Sequence, residues 1–232
     1  MKFNSPLINA TFKKRYKRFF VDCELNSELV TAHLANTGSM KTCYGENWPI
    51  LLSTHNSITR KLKYSVEMIH NGKTWIGVNT SLTNKLAKEA IENGVIKELE
   101  DYTEIHSEVK IGESRIDFLV MKNLKKCYVE VKNVTLVNDK NECLFPDSVS
   151  ERALKHLQEL IQLKENNIRA ILLFIVQRED CNIFQMNNEI DLKYSELLKV
   201  ALKKGVEILV YQCSMKESEI KVAKKLELAL ID

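Results

Sequence analysis

The apolar pattern of this chain changes period near Asn79, and that change limits the fold more than any other feature. Before Asn79 the apolar runs are short and strand-like, with no long helical stretch. Arg18 to Leu25, Leu29 to Ala35 and Pro49 to Thr54 are predicted strands. Leu62 to His70 and Lys73 to Asn79 flank Asn71-Gly72, a two-residue hairpin signal in which both turn positions take positive φ. Short strands without a helix predict a small all-β barrel or sandwich over residues 1–79, an OB-like barrel being one candidate.

After Asn79 helices alternate with strands. Ser81 to Asn93 carries Leu82, Leu86, Ala90 and Ile91 on one face and stops at Gly94. Ile105 to Ile111, Arg115 to Met121 and Cys127 to Val137 are predicted strands, the first two joined by a turn at Gly112-Glu113-Ser114. A helix then runs from beyond Pro146 to near Glu165 on a seam of Leu154, Leu157 and Ile161. Arg169 to Val176 is a continuous apolar strand of the kind buried on both faces. Asp191 to Lys204 is a helix ended by Gly205, and Val206 to Gln212 is a last strand. The order α-β-β-β-α-β, followed by α-β, predicts an α/β domain over residues 80–232: a mixed sheet covered by helices. Val206 to Tyr211 is a candidate sheet edge where a second copy would pair, so a homo-oligomer stays open.

Composition narrows the class. With 44% hydrophobic and 28% charged residues in 232, the chain reads as an ordinary soluble globular protein. The longest apolar run, Ala170 to Val176, is far too short to span a bilayer, and the N-terminal apolar stretch breaks into lysines and arginines too early for a secretory signal. The six cysteines are irregularly spaced, form no C-x-x-C pair and are not clustered with the five histidines. Reduced thiols in a cytoplasmic protein are expected, rather than a zinc site.

The net charge of +3 hides an asymmetry. Residues 1–95 hold 13 Lys+Arg against 7 Asp+Glu, and residues 96–232 hold 21 against 24, so the first part suits a polyanion. Lys13, Lys14, Arg15, Lys17 and Arg18 place five cations in six positions ahead of Phe19 and Phe20; Arg60, Lys61 and Lys63 form a second cluster. Such a run is either a solvated charged surface or a nucleic-acid contact, cations on phosphates and an aromatic on a base or sugar. No segment reads as a base-reading helix, so DNA binding would be largely nonspecific and salt-sensitive. Asn36-Thr37-Gly38-Ser39 is first a turn; its amides and hydroxyls could also hold a phosphate.

The densest chemistry lies in Ser114 to Lys132. Asp117 interrupts one apolar run, and Glu130-Val131-Lys132 interrupts the next. Residues two apart on a strand share a face, so Glu130 and Lys132 are neighbours where an unpaired charge is costly. A short hairpin brings Asp117 beside them. Two carboxylates and an ammonium can bind a hard divalent cation and stabilise charge on a phosphate. The plain alternative is a cross-strand salt bridge on a solvated face.

In its α-β-β-β-α-β setting this constellation resembles the PD-(D/E)XK nuclease superfamily. Longer matches go further: Lys14-Arg15-Tyr16-Lys17-Arg18-Phe19, Asn36-Thr37-Gly38-Ser39-Met40, Ser107-Glu108-Val109-Lys110, Ser114-Arg115-Ile116-Asp117-Phe118, the run from Tyr128 to Leu136, and Phe145-Pro146-Asp147. In this order, from about Lys14 to Tyr211, they resemble the sugar fermentation stimulation protein A family. The resemblance implies an N-terminal OB-like domain, a nuclease-like C-terminal domain, and DNA binding linked to regulation of sugar use. It further implies that Asp117 and Glu130 hold Mg²⁺ or Mn²⁺, with the Val131 carbonyl as a third ligand, while Lys132 orients water or stabilises the phosphate. Glu89 stands where many superfamily members add an acid; an i,i+4 partner on a wet helix face is its plainer role and the preferred one. Arg152 and His156, also i,i+4, either face the metal or a phosphate or are simply exposed. Ala153 replaces a glycine that often follows the arginine in that family. Three functions remain: a DNA-binding regulator that keeps a nuclease-like core, an active metal-dependent nuclease, and a protein with no nucleic-acid role whose acids are structural.

Overall fold

A computed structural model describes residues 1–56, 60–112 and 114–229, so Glu113 of the expected turn lies outside the described residues. The strands β1 (Ile8–Tyr16), β2 (Phe20–Leu25), β3 (Glu28–His33), β4 (Pro49–Thr54) and β5 (Tyr64–His70) close into a barrel. β1 pairs with β2 and β4, β2 with β3, and β5 with both β4 and β3, which is the five-strand closure of an OB fold. Phe12, Val21, Cys23, Ala32, Ile50, Leu52, Val66 and Ile69 fill it. A short β6 (Trp75–Gly77) extends β5.

Two local readings of this half change. The basic run is the end of β1 and its turn, with Lys17 at φ 46° and Arg18 at φ 62°, so β2 begins only at Phe20. The Asn71-Gly72 hairpin exists, but its loop has four residues, since His70 pairs with Trp75. Of the two, only Gly72 takes positive φ, at 87°. Asn71 works through its side chain instead, its Oδ1 accepting the amides of Lys73 and Thr74 at 3.0 and 2.9 Å.

The rest of the chain forms α1 (Thr83–Glu92), β7 (Glu104–Ile111), β8 (Ser114–Lys122), β9 (Lys125–Val134), β10 (Leu136–Val137), β11 (Glu142–Phe145), α2 (Glu151–Glu165), β12 (Arg169–Val176), β13 (Ile183–Met186), α3 (Leu192–Lys203), β14 (Glu207–Lys216), β15 (Glu219–Lys225) and β16 (Glu227–Leu228). The main sheet has the order β15-β14-β12-β9-β8-β7, parallel at β9–β12 and β12–β14 and antiparallel elsewhere. It is the mixed sheet expected, with its elements in the predicted order α-β-β-β-α-β. Alternation along β12 explains its unbroken apolar run: Ile171, Leu173 and Ile175 pack with α1, while Leu172, Phe174 and Val176 pack with α2 and α3.

β14 lies between β12 and β15, so Val206 to Tyr211 is an interior strand and not an edge. The sequence stops short of β15 because its Glu219–Lys225 segment alternates too many charges to read as apolar. The second sheet, β10-β11-β13-β16, is likewise built from segments too short and too polar to register. That sheet overturns the expectation of six reduced thiols. Cys143 and Cys181 are joined by a disulfide because β11 and β13, unrecognised in the sequence, run side by side. The other four cysteines are free and buried, and burial pushes the thiols of Cys23 and Cys127 up to about 11 and about 12.

Barrel and sheet are locked by polar contacts. Arg178, almost fully buried, forks onto Asp180 at 2.6 and 2.7 Å and donates to the Thr135 carbonyl at 2.6 Å and to Thr42. Asn71 reaches across to the same Asp180 at 2.7 Å. The first residues leave the barrel altogether: the Met1 ammonium donates to the Ile220 carbonyl at 2.7 Å, beside β15. Among the described residues no helix is long and apolar enough to cross a membrane.

Candidate metal and nucleic-acid site

The ladder between β8 and β9 runs from Lys122↔Lys125 only as far as Phe118↔Val129. One step on stands Asp117, and across from it on β7 Glu108 takes a φ of 56°. Here β8 bends away from β9, and the Asp117 side chain replaces the backbone as partner. Its Oδ2 accepts the Val131 amide at 2.8 Å, and its Oδ1 accepts Asn84 Nδ2 from α1 at 2.7 Å. Burial, and then the nearby Glu130 charge, raises the Asp117 carboxyl above the usual range.

Glu130 and Lys132 share one face of β9, as strand alternation requires. Glu130 is 2% exposed, and its Oε1 accepts Lys132 Nζ at 2.5 Å and a short hydrogen bond from His156 Nδ1. Burial opposes its ionisation most strongly, yet the His156 bond and the Lys132 charge together hold its carboxyl below the ordinary range. Its second oxygen, Oε2, is buried without a partner among the described residues. A buried carboxylate oxygen with a free lone pair, near a second acid raised by burial and by like charge, suits a hard cation. Mg²⁺ in particular takes only one or two protein carboxylates and fills its shell with water or phosphate oxygens.

The structure does not bring Glu89 to these acids. Its carboxylate holds the Met1 ammonium at 2.8 Å, because five positions along α1 separate it from Asn84 and turn it away. Asn84 is the α1 residue that touches Asp117, and no sequence signal marked it. Arg152 and His156 also part company. His156 is buried against Glu130, whereas Arg152 is exposed at the mouth of a cleft of about 250 Å³ beside Lys132. Ala153 lines that cleft and gives its amide to the Ser150 cap at 3.2 Å, so the methyl group fits without displacing the helix start.

The basic run divides in the same way. Lys14, Lys17 and Arg18 are exposed, as are Arg60 and Lys61. Lys13 is tied to Glu24 at 2.9 Å and to Asn47 at 3.0 Å. Arg15 is occupied: it donates to the carbonyls of Ser39, Asn36 and Gly38 at 3.1, 2.9 and 3.0 Å. It thereby shapes the loop in which Asn36 is buried and Thr37 exposed. Phe19, 39% exposed, stacks on His33 at the end of the same hairpin. Gly38 lies so close to Asp147 that a Cβ there would sit 2.0 Å from Asp147 Oδ2. Asp147 lines the cleft beside Lys132, so the loop that Arg15 holds borders that cleft. Asp147 belongs to a quoted motif, but its role appears only in this packing.

Comparison with known proteins agrees with this architecture. A model described as the sugar fermentation stimulation protein RE domain matches residues 81–219, and one described as the SfsA N-terminal OB domain matches residues 14–78. The chain belongs to the sugar fermentation stimulation protein family. A member from Geotalea uraniireducens (strain Rf4) is 45% identical over 232 residues, 99% of this chain and 100% of that one. One from Pelagibacter ubique (strain HTCC1062) is 42% identical over 229 residues, 98% and 99% of the two chains. Both are called sugar fermentation stimulation protein homologues. The solved SfsA of Pyrococcus furiosus, in complex with Ca²⁺, superposes with a TM-score of 0.90 at 28% identity, covering 99% of this chain and 98% of that one.

Proposed function

We propose that this family member is a cytoplasmic DNA-binding protein that carries a nuclease-like divalent-metal site, grips DNA with little regard to sequence, and acts in the regulation of sugar use. One observation carries the reading: where β8 leaves β9, the Asp117 carboxylate accepts the Val131 amide, and the residues on either side of Val131, Glu130 and Lys132, are paired with each other. Lys14, Lys17, Arg18, Arg60 and Lys61 would meet phosphates, with Phe19 as a stacking surface, and Lys13 would add charge from beside Glu24. Arg15 and Asn36 would act by holding the loop that offers Thr37. The Pyrococcus furiosus relative was solved in complex with Ca²⁺, which supports cation binding in this family; in this chain Asp117 and Glu130 would hold the ion, with the Val131 carbonyl as a further ligand. The link to sugar use rests on the name of the relatives.

Hydrolysis of DNA phosphodiesters is the second reading, favoured by the Lys132 ammonium standing 2.5 Å from Glu130. A bound Mg²⁺ or Mn²⁺ would supply Lewis acidity toward a phosphate oxygen. Lys132 would then hold a water or neutralise charge on the phosphate, Glu130 would keep that ammonium in place, and His156 would fix the Glu130 carboxylate. Incubation of DNA with Mg²⁺ or Mn²⁺ separates the two readings. Cleavage that disappears in both Asp117→Ala and Lys132→Ala, with DNA retardation retained, supports the nuclease. Salt-sensitive retardation without cleavage leaves the binding protein, and no retardation at all removes both.

A further inference from the structure

The hairpin that joins β8 to β9 carries charges that folding does not explain. Its turn is Asn123-Leu124, and Lys122 pairs across the ladder with Lys125. Like charges directly opposite each other on paired strands are destabilising. Lys122 has a counter-charge in Asp101, at 3.6 Å. Lys125 and the next residue, Lys126, make no hydrogen bond or ion pair among the described residues. Between the opposed lysines Leu124 is 96% exposed. These residues line a cleft of about 990 Å³ together with Tyr102, Asn167 and Arg169. Arg169 is fixed there: it forks onto Glu207 at 2.7 Å through two nitrogens and stands 5.7 Å from the centre of the Tyr102 ring. Glu207 balances Arg169 and Asp101 balances Lys122, so the charges of Lys125 and Lys126 are left over. The cleft stands apart from the acids. The β8–β9 ladder has Lys122↔Lys125 at one end and Phe118↔Val129 at the other, and Lys126 lies four residues from Glu130, about 13 Å along the strand.

We propose that this cleft binds a small phosphate monoester, its phosphate on Lys125 and Lys126 and its organic part against Leu124 and the stacked Arg169 and Tyr102. Such a phosphate carries about −1.5 to −2 charges at pH 7, which matches the two lysines left over. An anion held between Lys125 and Lys122 also turns their repulsion into two attractions, and charge-assisted hydrogen bonds to phosphate are among the strong ones. Size argues for an organic part. The cleft lies at the upper end of the range of about 300–1,000 Å³ for small-ligand sites, so a bare phosphate would leave Leu124 and most of the lining without contact. The side-chain amides of Asn123 and Asn167 have no hydrogen-bond partner among the described residues and offer donors and acceptors to hydroxyls or ring nitrogens. A sugar phosphate and a mononucleotide share this chemistry. None of these residues belongs to the metal site or to the basic hairpin, so the assignment is independent of the DNA-binding reading.

Isothermal titration calorimetry of the full chain tests the site, with glucose 6-phosphate and AMP as the two sources of the class and inorganic phosphate, glucose and adenosine as controls. At least one ester should bind with a Kd of about 1 mM or below, and about tenfold more tightly than any control. The tighter ester identifies the source. Lys125→Gln/Lys126→Gln, changed only at exposed positions, should weaken that ester about tenfold, while the ligand-free Tm stays at or above that of wild type because the opposed charges are gone. Lys132→Gln should leave the affinity for the ester unchanged. Failure of both esters to bind overturns the proposal, and so does inorganic phosphate binding as tightly as they do. Affinity that survives in Lys125→Gln/Lys126→Gln also overturns it. Affinity lost in Lys132→Gln would put the phosphate at the metal site and overturns it equally.

Discussion

His156 Nδ1 and Glu130 Oε1 are hydrogen-bonded inside the protein, across 26 residues of sequence, and this bond joins α2 to β9. It makes His156 a positioning residue for Glu130 and not a surface contact. His156→Ala leaves a buried carboxylate with Lys132 as its one remaining donor among the described residues. Stability should fall by about 2 kcal/mol, the worth of a hydrogen bond to a charged group, in a urea titration.

Asp117 and Glu130 respond oppositely to loss of charge. Asp117 is raised by burial and by the Glu130 charge, so Asp117→Asn relieves repulsion and the metal-free variant should melt no lower than wild type. It should also lose the Mn²⁺-induced rise in Tm, which for wild type corresponds to about 2.7 kcal/mol at a hundredfold excess over Kd. Equal Mn²⁺ shifts in the two proteins would remove Asp117 from the metal site.

Asp180 gives a pH signature. Burial works against its ionisation, but the Arg178 fork and the Asn71 bond outweigh burial and hold its folded pKa below the ordinary value. The stabilisation is therefore complete above the unfolded pKa, near 3.8, and is lost as pH falls through the still lower folded value. Asp180→Asn should cost about 3 kcal/mol at neutral pH, because Arg178 is left buried without its counter-charge. The gap between variant and wild type should close in the most acidic denaturation curves.

Exposed and occupied cations of the basic hairpin should behave differently. Lys14→Glu/Arg18→Glu should weaken binding of all DNA sequences alike and lower the slope of log K against log salt by about 2, with Tm unchanged. Arg15→Ala should instead lower Tm, since three carbonyls of the loop lose their donor. Anisotropy across a salt series, with melts alongside, distinguishes them.

Gly38→Ala forces a Cβ to within 2.0 Å of Asp147 Oδ2. The cost should be about 1–3 kcal/mol, as for other overpacked sites. In Gly38→Ala/Asp147→Ala the obstacle is gone, and the double variant should be more stable than the sum of the singles predicts. Additive losses in thermal melts would mean that the loop does not bear on Asp147.

What the sequence made legible follows the range of the interaction behind it. Arg169 to Val176 matches β12 and Pro49 to Thr54 matches β4 end to end, because an unbroken or alternating apolar run reports burial locally. Glu130 and Lys132 fall on one face by period alone. β11, β13, β15 and β16 escaped, being short or charged, and with them went the disulfide and the interior place of β14.

The amino-acid order by itself determined the two architectures and put Glu130 and Lys132 on one strand face, since strand and helix periods are written residue by residue. Only the tertiary structure decided that Asn84 and not Glu89 attends Asp117, that His156 turns inward to Glu130, and that Arg15 holds a loop while Lys14 and Arg18 stay exposed. Those choices depend on which surfaces meet after the chain has folded, and hydrogen-bond partners tens of residues apart leave no local pattern to read.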